Sequence, residues 1–206
     1  MNLFLLDVLL ESSVSSLCDK HVVKMILETA QVLWSVWHLH KGDMSYIESS
    51  YGVKPYKKTH SNHPISVWAR YHVNHYEYAV RYGLLLCHEY TRRYGKVHKT
   101  QRHLELLFWL GFPSAECVVA PPKTSKVTTK AVHDIPGTLL YFPMCFDEQY
   151  LVKDDHGNIL GVSSYRNYYQ SKQDKFKMVW KTNQPTWFLQ HVKQIQKRVE
   201  KPIYTV

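Results

Sequence analysis

The sequence predicts a mainly α protein: a compact, single-domain helical bundle with long basic loops and a small β-hairpin. Three observations predict it. Apolar residues recur at helical spacing over long stretches, Pro and Gly stand where helices would start and stop, and two short apolar runs flank a turn signal. At 206 residues the chain can bury a real core but cannot hold two large domains, so residues 1–206 are taken as one unit.

The opening Met1-Asn2-Leu3-Phe4-Leu5-Leu6-Asp7 is apolar, yet it lacks a basic leader and is interrupted by Asp7 and Glu11, which argues against a signal peptide or anchor. A long helix is predicted from Ser15 or Ser16 to about His38, with a serine cap, Asp19 in the first turn and apolar residues almost all the way round. Such a helix is central. Its exception is a polar line at His21, Lys24, Glu28, Gln31 and Ser35, spaced three or four apart and therefore on one face. Residues 41–63 read as a loop with a basic tip around Lys57, Lys58, His60 and His63. Pro64 starts a second long helix, bending at Gly83 and stopped at Gly95, with Arg70, Asn74, Glu77 and Arg81 as its polar residues. Thr100 caps a third helix through Leu110, ended by Gly111 and Pro113. Residues 112–138 are rich in Pro, Thr and Lys and read as loop. Residues 139–162 hold the hairpin, turning at Asp155-His156-Gly157-Asn158. Ser163 or Ser164 caps another helix to about Lys181, and a last one begins near Pro185-Thr186-Trp187.

Composition speaks about partners. Lys and Arg total 26 against 17 acids, a net +9 with histidines neutral, which favours phosphate-bearing ligands but also suits a merely solvated basic coat. The 6 tryptophans and 15 tyrosines tilt the choice, because stacking faces beside cations are what exposed bases require. Cys18, Cys87, Cys117 and Cys145 form no close pair, so neither a zinc knuckle nor a disulfide framework is indicated and a reducing, intracellular compartment is expected. The expected partner is DNA; no membrane, cofactor or oligomer is predicted.

Four constellations could carry chemistry. His21, Lys24 and Glu28 would bring a base, an amine and a carboxylate to one substrate, although an ordinary Lys24–Glu28 surface pair beside a hydrogen-bonded histidine has the same spacing. His60 and His63 suggest a metal site completed by His21 and Glu28, but with 13 histidines such spacings arise by chance, and phosphate contact or helix capping is favoured. Around residues 89–99, Arg93, Lys96 and His98 alternate with tyrosines, which suits phosphate contacts or simply the C-terminal end of a helix. In Gln184-Pro185-Thr186-Trp187-Phe188 the rings suit core packing or base stacking.

In their order these pieces resemble the small phage-type pyrimidine-dimer DNA glycosylase/AP lyase. That family's first helix carries Asp-x-His followed by its catalytic glutamate, matched here by Asp19, His21 and Glu28, and it closes on a Pro-Thr-Trp-aromatic segment similar to Pro185-Thr186-Trp187-Phe188. The resemblance covers residues 17–38 and 184–188; the family is shorter, so residues 112–162 stand as a loop and hairpin insertion. It implies that the chain's terminal amine attacks C1′ of a damaged nucleotide to form a Schiff base, with the glutamate stabilising positive charge and assisting proton removal. An α-amine, with a pKa of about 7.7–8.0 against about 10.4 for lysine, is far more often the free nucleophile at neutral pH.

Three departures matter. Asn2 is bulky for removal of the preceding methionine, so Met1 is expected to stay and supply the amine. Leu27 and Gln31 stand where the family has arginines, and Lys24, one turn before Glu28, is a rival nucleophile. The expected catalytic set is therefore Glu28, Met1, Lys24 and His21, without metal. DNA contacts are expected from Asn2, Lys20, Lys57, Lys58, His60, His63, Arg70, Arg93, Lys96, His98 and Trp187. Two other readings remain: a nucleic-acid-binding protein without chemistry, and a metal-dependent nuclease using His21, Glu28, His60 and His63.

Overall fold

A computed structural model describes residues 2–113, 132–135 and 142–191. Met1, most of the 112–138 loop including Cys117, and residues 136–141 lie outside them. The described residues are mainly helical with a small antiparallel hairpin, as the sequence predicts.

The apolar opening is core. Leu3, Phe4, Leu5 and Leu6 are all buried, and Ser13 Oγ fastens them to helix α1 (Leu10–Ser15) by accepting from the Leu6 amide at 2.8 Å and donating to Phe4 O at 3.0 Å. Ser15 and Ser16 do not cap the central helix. Their hydroxyls turn back to Ser12 O and close α1, and α2 (Asp19–Leu39) begins after extended Cys18. Val22, Met25, Ile26, Ala30, Leu33 and Trp34 bury its inner faces, each large side chain contributing roughly 1.5–3 kcal/mol.

The predicted 41–63 loop contains a further helix, α3 (Met44–Tyr51), capped by Asp43 and ended by Gly52 at φ 60°. The predicted second helix is two. α4 (Pro64–Tyr71) and α5 (Val73–Tyr94) are separated by extended His72, whose Nδ1 accepts from the Asn74 amide at 3.1 Å. The helix is interrupted there, whereas α5 runs unbroken through Gly83. What Gly83 supplies is close approach: a Cβ there would lie 2.7 Å from Leu104 Cδ2 and 3.2 Å from Thr29 Cγ2. This is where α2, α5 and α6 (Gln101–Leu110) meet. Gly95, at φ 64°, stops α5 as predicted.

Strand β1 (Val132–His133) pairs parallel with β3 (Ile159–Leu160), and β2 (Val152–Lys153) pairs antiparallel with β3. The hairpin turns where Asp154 accepts from the His156 and Asn158 amides and Gly157 takes φ 79°. α7 (Gly161–Gln170) follows, its Val162 amide donating to Asp134 at 3.0 Å. It ends short of Lys181, in a 3-10 turn over Ser171–Asp174, and a second such turn over Thr186–His191 stands where a last helix was expected.

The C-terminal segment is stitched onto the N-terminal one. Arg166 donates to Leu6 O at 2.7 Å and to Asp7 at 2.9 Å, while the buried Tyr165 hydroxyl lies 2.7 Å from Pro143 O and 3.0 Å from Asn2 Oδ1. Among the described residues no helix is long and apolar enough to cross a membrane.

Candidate functional site

α2 is buried on most of its circumference, and its accessible face carries Lys20, Val23, Lys24, Leu27, Glu28 and Gln31. On that face Lys24 Nζ lies 3.1 Å from Glu28 Oε1, with the lysine side chain 58% exposed and the carboxylate only 17%. Glu28 is therefore a recessed carboxylate with an amine at its mouth. Behind it, burial of the Tyr82 hydroxyl, reinforced by Tyr78 and Glu28, pushes that phenol well above its ordinary range and keeps it protonated.

The polar line of α2 divides by task. At its start His21 is buried, its Nδ1 2.7 Å from the Tyr169 hydroxyl, which also accepts from the Cys18 amide at 2.9 Å. Phe4 and Phe176 pack on its ring at 4.8 and 5.4 Å. Burial first, then the charges of Lys172, Lys24 and Lys20, lowers its pKa to about 4. In the fold His21 is a neutral ring that locks α2 against α7. At the other end Ser35 is buried, accepting from the Thr59 amide at 3.0 Å and donating toward Thr59 O at 2.9 Å. It pins the basic loop to the helix. Only Lys24, Glu28 and Gln31, in the middle, face outward.

Both His21 and a second buried histidine, His75, titrate near pH 4, the latter chiefly through burial, against which its hydrogen bond to Trp68 O works. Unfolded, each takes up a proton near 6.5, so between these values the unfolded chain binds more protons than the folded one. Stability is thus complete above about pH 6.5 and falls as pH drops toward 4, by up to about 3 kcal/mol per histidine. The urea midpoint should decline steadily from pH 6.5 to 5; a flat curve across that window would refute the buried, neutral assignment.

The expected DNA contacts scatter. Lys57, Lys58 and His60 project from the loop, and Lys20 and Lys96 are exposed, Lys20 with its ammonium 4.3 Å from the Phe176 ring centre. His63 Nδ1 instead caps α4 through the Ile65 amide, Arg70 donates to Ser61 O, and His98 Nδ1 caps Thr100. Trp187 packs against Tyr169 and Phe188 with Arg166 over its ring, so its role is mainly core packing. Two of the expected contacts lie inside the fold. Asn2 is buried beside Tyr165 and offers no contact surface. Arg93, read as a phosphate contact, has a side chain with 0% exposure, bound to Glu89, Asp19 and the carbonyls of Ser15 and Leu17. Asp19, the first residue of the Asp-x-His pattern, is likewise structural: it also accepts from the Lys181 amide at 3.1 Å.

Among the described residues no three His, Cys, Asp or Glu side chains gather as a metal site, so His21, Glu28, His60 and His63 do not form one.

Sequence reasoning missed a wall of the site built by α7 and the turn after it. Tyr168 stacks on Phe146 at 4.8 Å and on Phe4 at 6.4 Å, Lys172 lies 3.9 Å over its ring, and Lys172 is close enough to His21 to act on its titration. The i,i+4 spacing of Tyr168 and Lys172 was visible in the sequence; their place beside α2 was not.

A family model described as pyrimidine dimer DNA glycosylase matches residues 1–106, just over half of the 206-residue chain. That span runs from the buried opening through most of α6 and includes Glu28. Pro185-Thr186-Trp187-Phe188 lies beyond it. Neither a curated protein nor a solved structure matches the chain.

Proposed function

Because the chain belongs to the pyrimidine dimer DNA glycosylase family, we propose that it is a DNA glycosylase with AP-lyase activity, acting on a damaged or modified pyrimidine through an amine nucleophile and Glu28. The observation that carries this reading is the recessed Glu28 carboxylate with Lys24 Nζ at 3.1 Å on the accessible face of α2. A carboxylate in that position can balance a cation forming next to it, and an amine is what a Schiff base needs.

In this reaction the amine lone pair bonds to C1′ while the base departs with the electrons of the glycosidic bond and takes up a proton; the nitrogen, having lost one proton, then expels O4′ from C1′, and the sugar ring opens as O4′ is protonated. The nitrogen is left as an iminium beside Glu28. Glu28 then accepts the C2′ proton, and the electrons released expel the 3′ phosphate. The amine is either that of Met1, as the family resemblance implies, or Lys24. C1′ is shielded in a stacked duplex, so the nucleotide or its partner has to leave the helix. Lys20, Lys57, Lys58 and Lys96 supply exposed cations to hold the distorted backbone, and their binding will weaken with salt.

The test is incubation with labelled duplex carrying a pyrimidine dimer or an abasic site, with borohydride and a chelator present. A covalent protein–DNA adduct and chelator-insensitive strand cleavage are expected. Tight, salt-dependent binding with neither adduct nor cleavage would instead establish a binding protein that has lost the chemistry.

A further inference from the structure

We propose that Lys172 is a second imine-forming amine of this site, one that condenses with the open-chain aldehyde of an abasic nucleotide. The proposal rests on the glycosylase/lyase reading above and adds a residue from outside the 1–106 span that the family model matches.

Among the described residues Lys172 stands apart from every other lysine: each of the others is exposed, and Lys172 alone is drawn partly into the fold. It sits in the 3-10 turn that follows α7, and its Nζ bonds the Tyr168 hydroxyl one turn back. Tyr168 is itself held between Phe146 and Phe4, so the amine rests on a fixed platform instead of sweeping through solvent. Preorganisation of this kind is what a lysine nucleophile needs and an ordinary surface lysine lacks.

Two influences oppose each other at this amine. The Tyr168 ring and the nearby Tyr150 favour the ammonium, whereas burial, Lys175 and Lys24 oppose it. Burial and the like charges win, so the amine titrates below an ordinary lysine and more of it is neutral at a given pH. Lys24 is also the partner of Glu28. Lys172 therefore neighbours Lys24, and through it Glu28, beside the accessible face of α2.

The step balances without any further reagent. The neutral Nζ adds to the aldehyde carbon C1′, the carbonyl oxygen takes up a proton, and the carbinolamine loses that oxygen as water to leave a C=N bond. The Tyr168 hydroxyl, kept protonated by burial, is placed to pass the proton. A lysine that merely grips a phosphate would share the location but not the chemistry, and arginine separates the two: it keeps the charge and cannot form the imine.

The full chain is incubated with an abasic-site duplex and borohydride, digested, and the adduct mapped by mass, for wild type, Lys172→Arg, Lys172→Met and Lys24→Ala. The expected result is an adduct on the Lys172 peptide that survives Lys24→Ala and is lost in both Lys172 variants, with duplex affinity retained in Lys172→Arg. Its yield should reach half-maximum at a pH below that of an unperturbed lysine. Adduct confined to the N-terminal or Lys24 peptide, with trapping undiminished in Lys172→Arg, would overturn the proposal while leaving the lyase reading intact. Absence of any adduct in the wild type, despite duplex binding, would overturn both.

Discussion

Glu28→Gln is expected to slow base release and strand incision by about 10²–10⁴-fold, the usual contribution of a positioned acid or base, while duplex affinity stays near that of the wild type. The substitution keeps the size of the side chain and one carbonyl acceptor and removes only the charge and the basic oxygen. Among its partners is Lys24, whose side chain is 58% exposed, and glutamine can still accept from that ammonium through its carbonyl. Single-turnover rates on a dimer-containing duplex and on an abasic duplex separate the two duties proposed for the carboxylate. Loss on both substrates places Glu28 at the iminium as well as at glycosidic cleavage; loss only on the dimer confines it to base release. Near-wild-type rates on both would remove Glu28 from the mechanism.

How much of this was legible in the sequence depends on how far each interaction reaches along the chain. The bundle, the stops at Gly95 and Gly111, the hairpin turn and the polar line of α2 all rest on patterns within a few residues, and all are present. Helix α3 escaped notice because its 8 residues bury only Ile47, which leaves no period to detect. The assignment of His21 as a reactive group could not be refined locally, since Tyr169, the residue that claims its ring nitrogen, lies 148 positions away. For the same reason the wall formed by Tyr168 and Lys172 was invisible. Spacing shows which side chains share a face, but not what is laid against it.

Arg93 shows this limit at its largest energetic scale, and Arg93→Met is expected to destabilise the fold by about 3–5 kcal/mol, the usual result of removing one member of a buried ion network. In the sequence Arg93 is one of several cations near a helix end. In the fold its Nε donates to Glu89 at 2.6 Å, Nη1 to Leu17 O at 2.8 Å and Asp19 at 2.9 Å, and Nη2 to Ser15 O at 2.9 Å. Methionine replaces the stem but takes the buried cation away from both carboxylates and both carbonyls. Arg92 retains Glu89, with contacts of 2.8 Å, and does nothing for Asp19. Against a total stability of about 5–15 kcal/mol for a domain, the loss is large enough to read as a lower urea midpoint. Because the network fixes Ser15 to Asp19, just before the turn that carries Lys20 and Lys24, unfolding will also depress activity. The loss will follow the folded fraction, so at low temperature the rate per folded molecule should return toward wild type, opposite to Glu28→Gln. Were Arg93 a phosphate contact, the variant would keep its urea midpoint and lower the salt slope of DNA binding by about 1; its complete burial predicts the reverse.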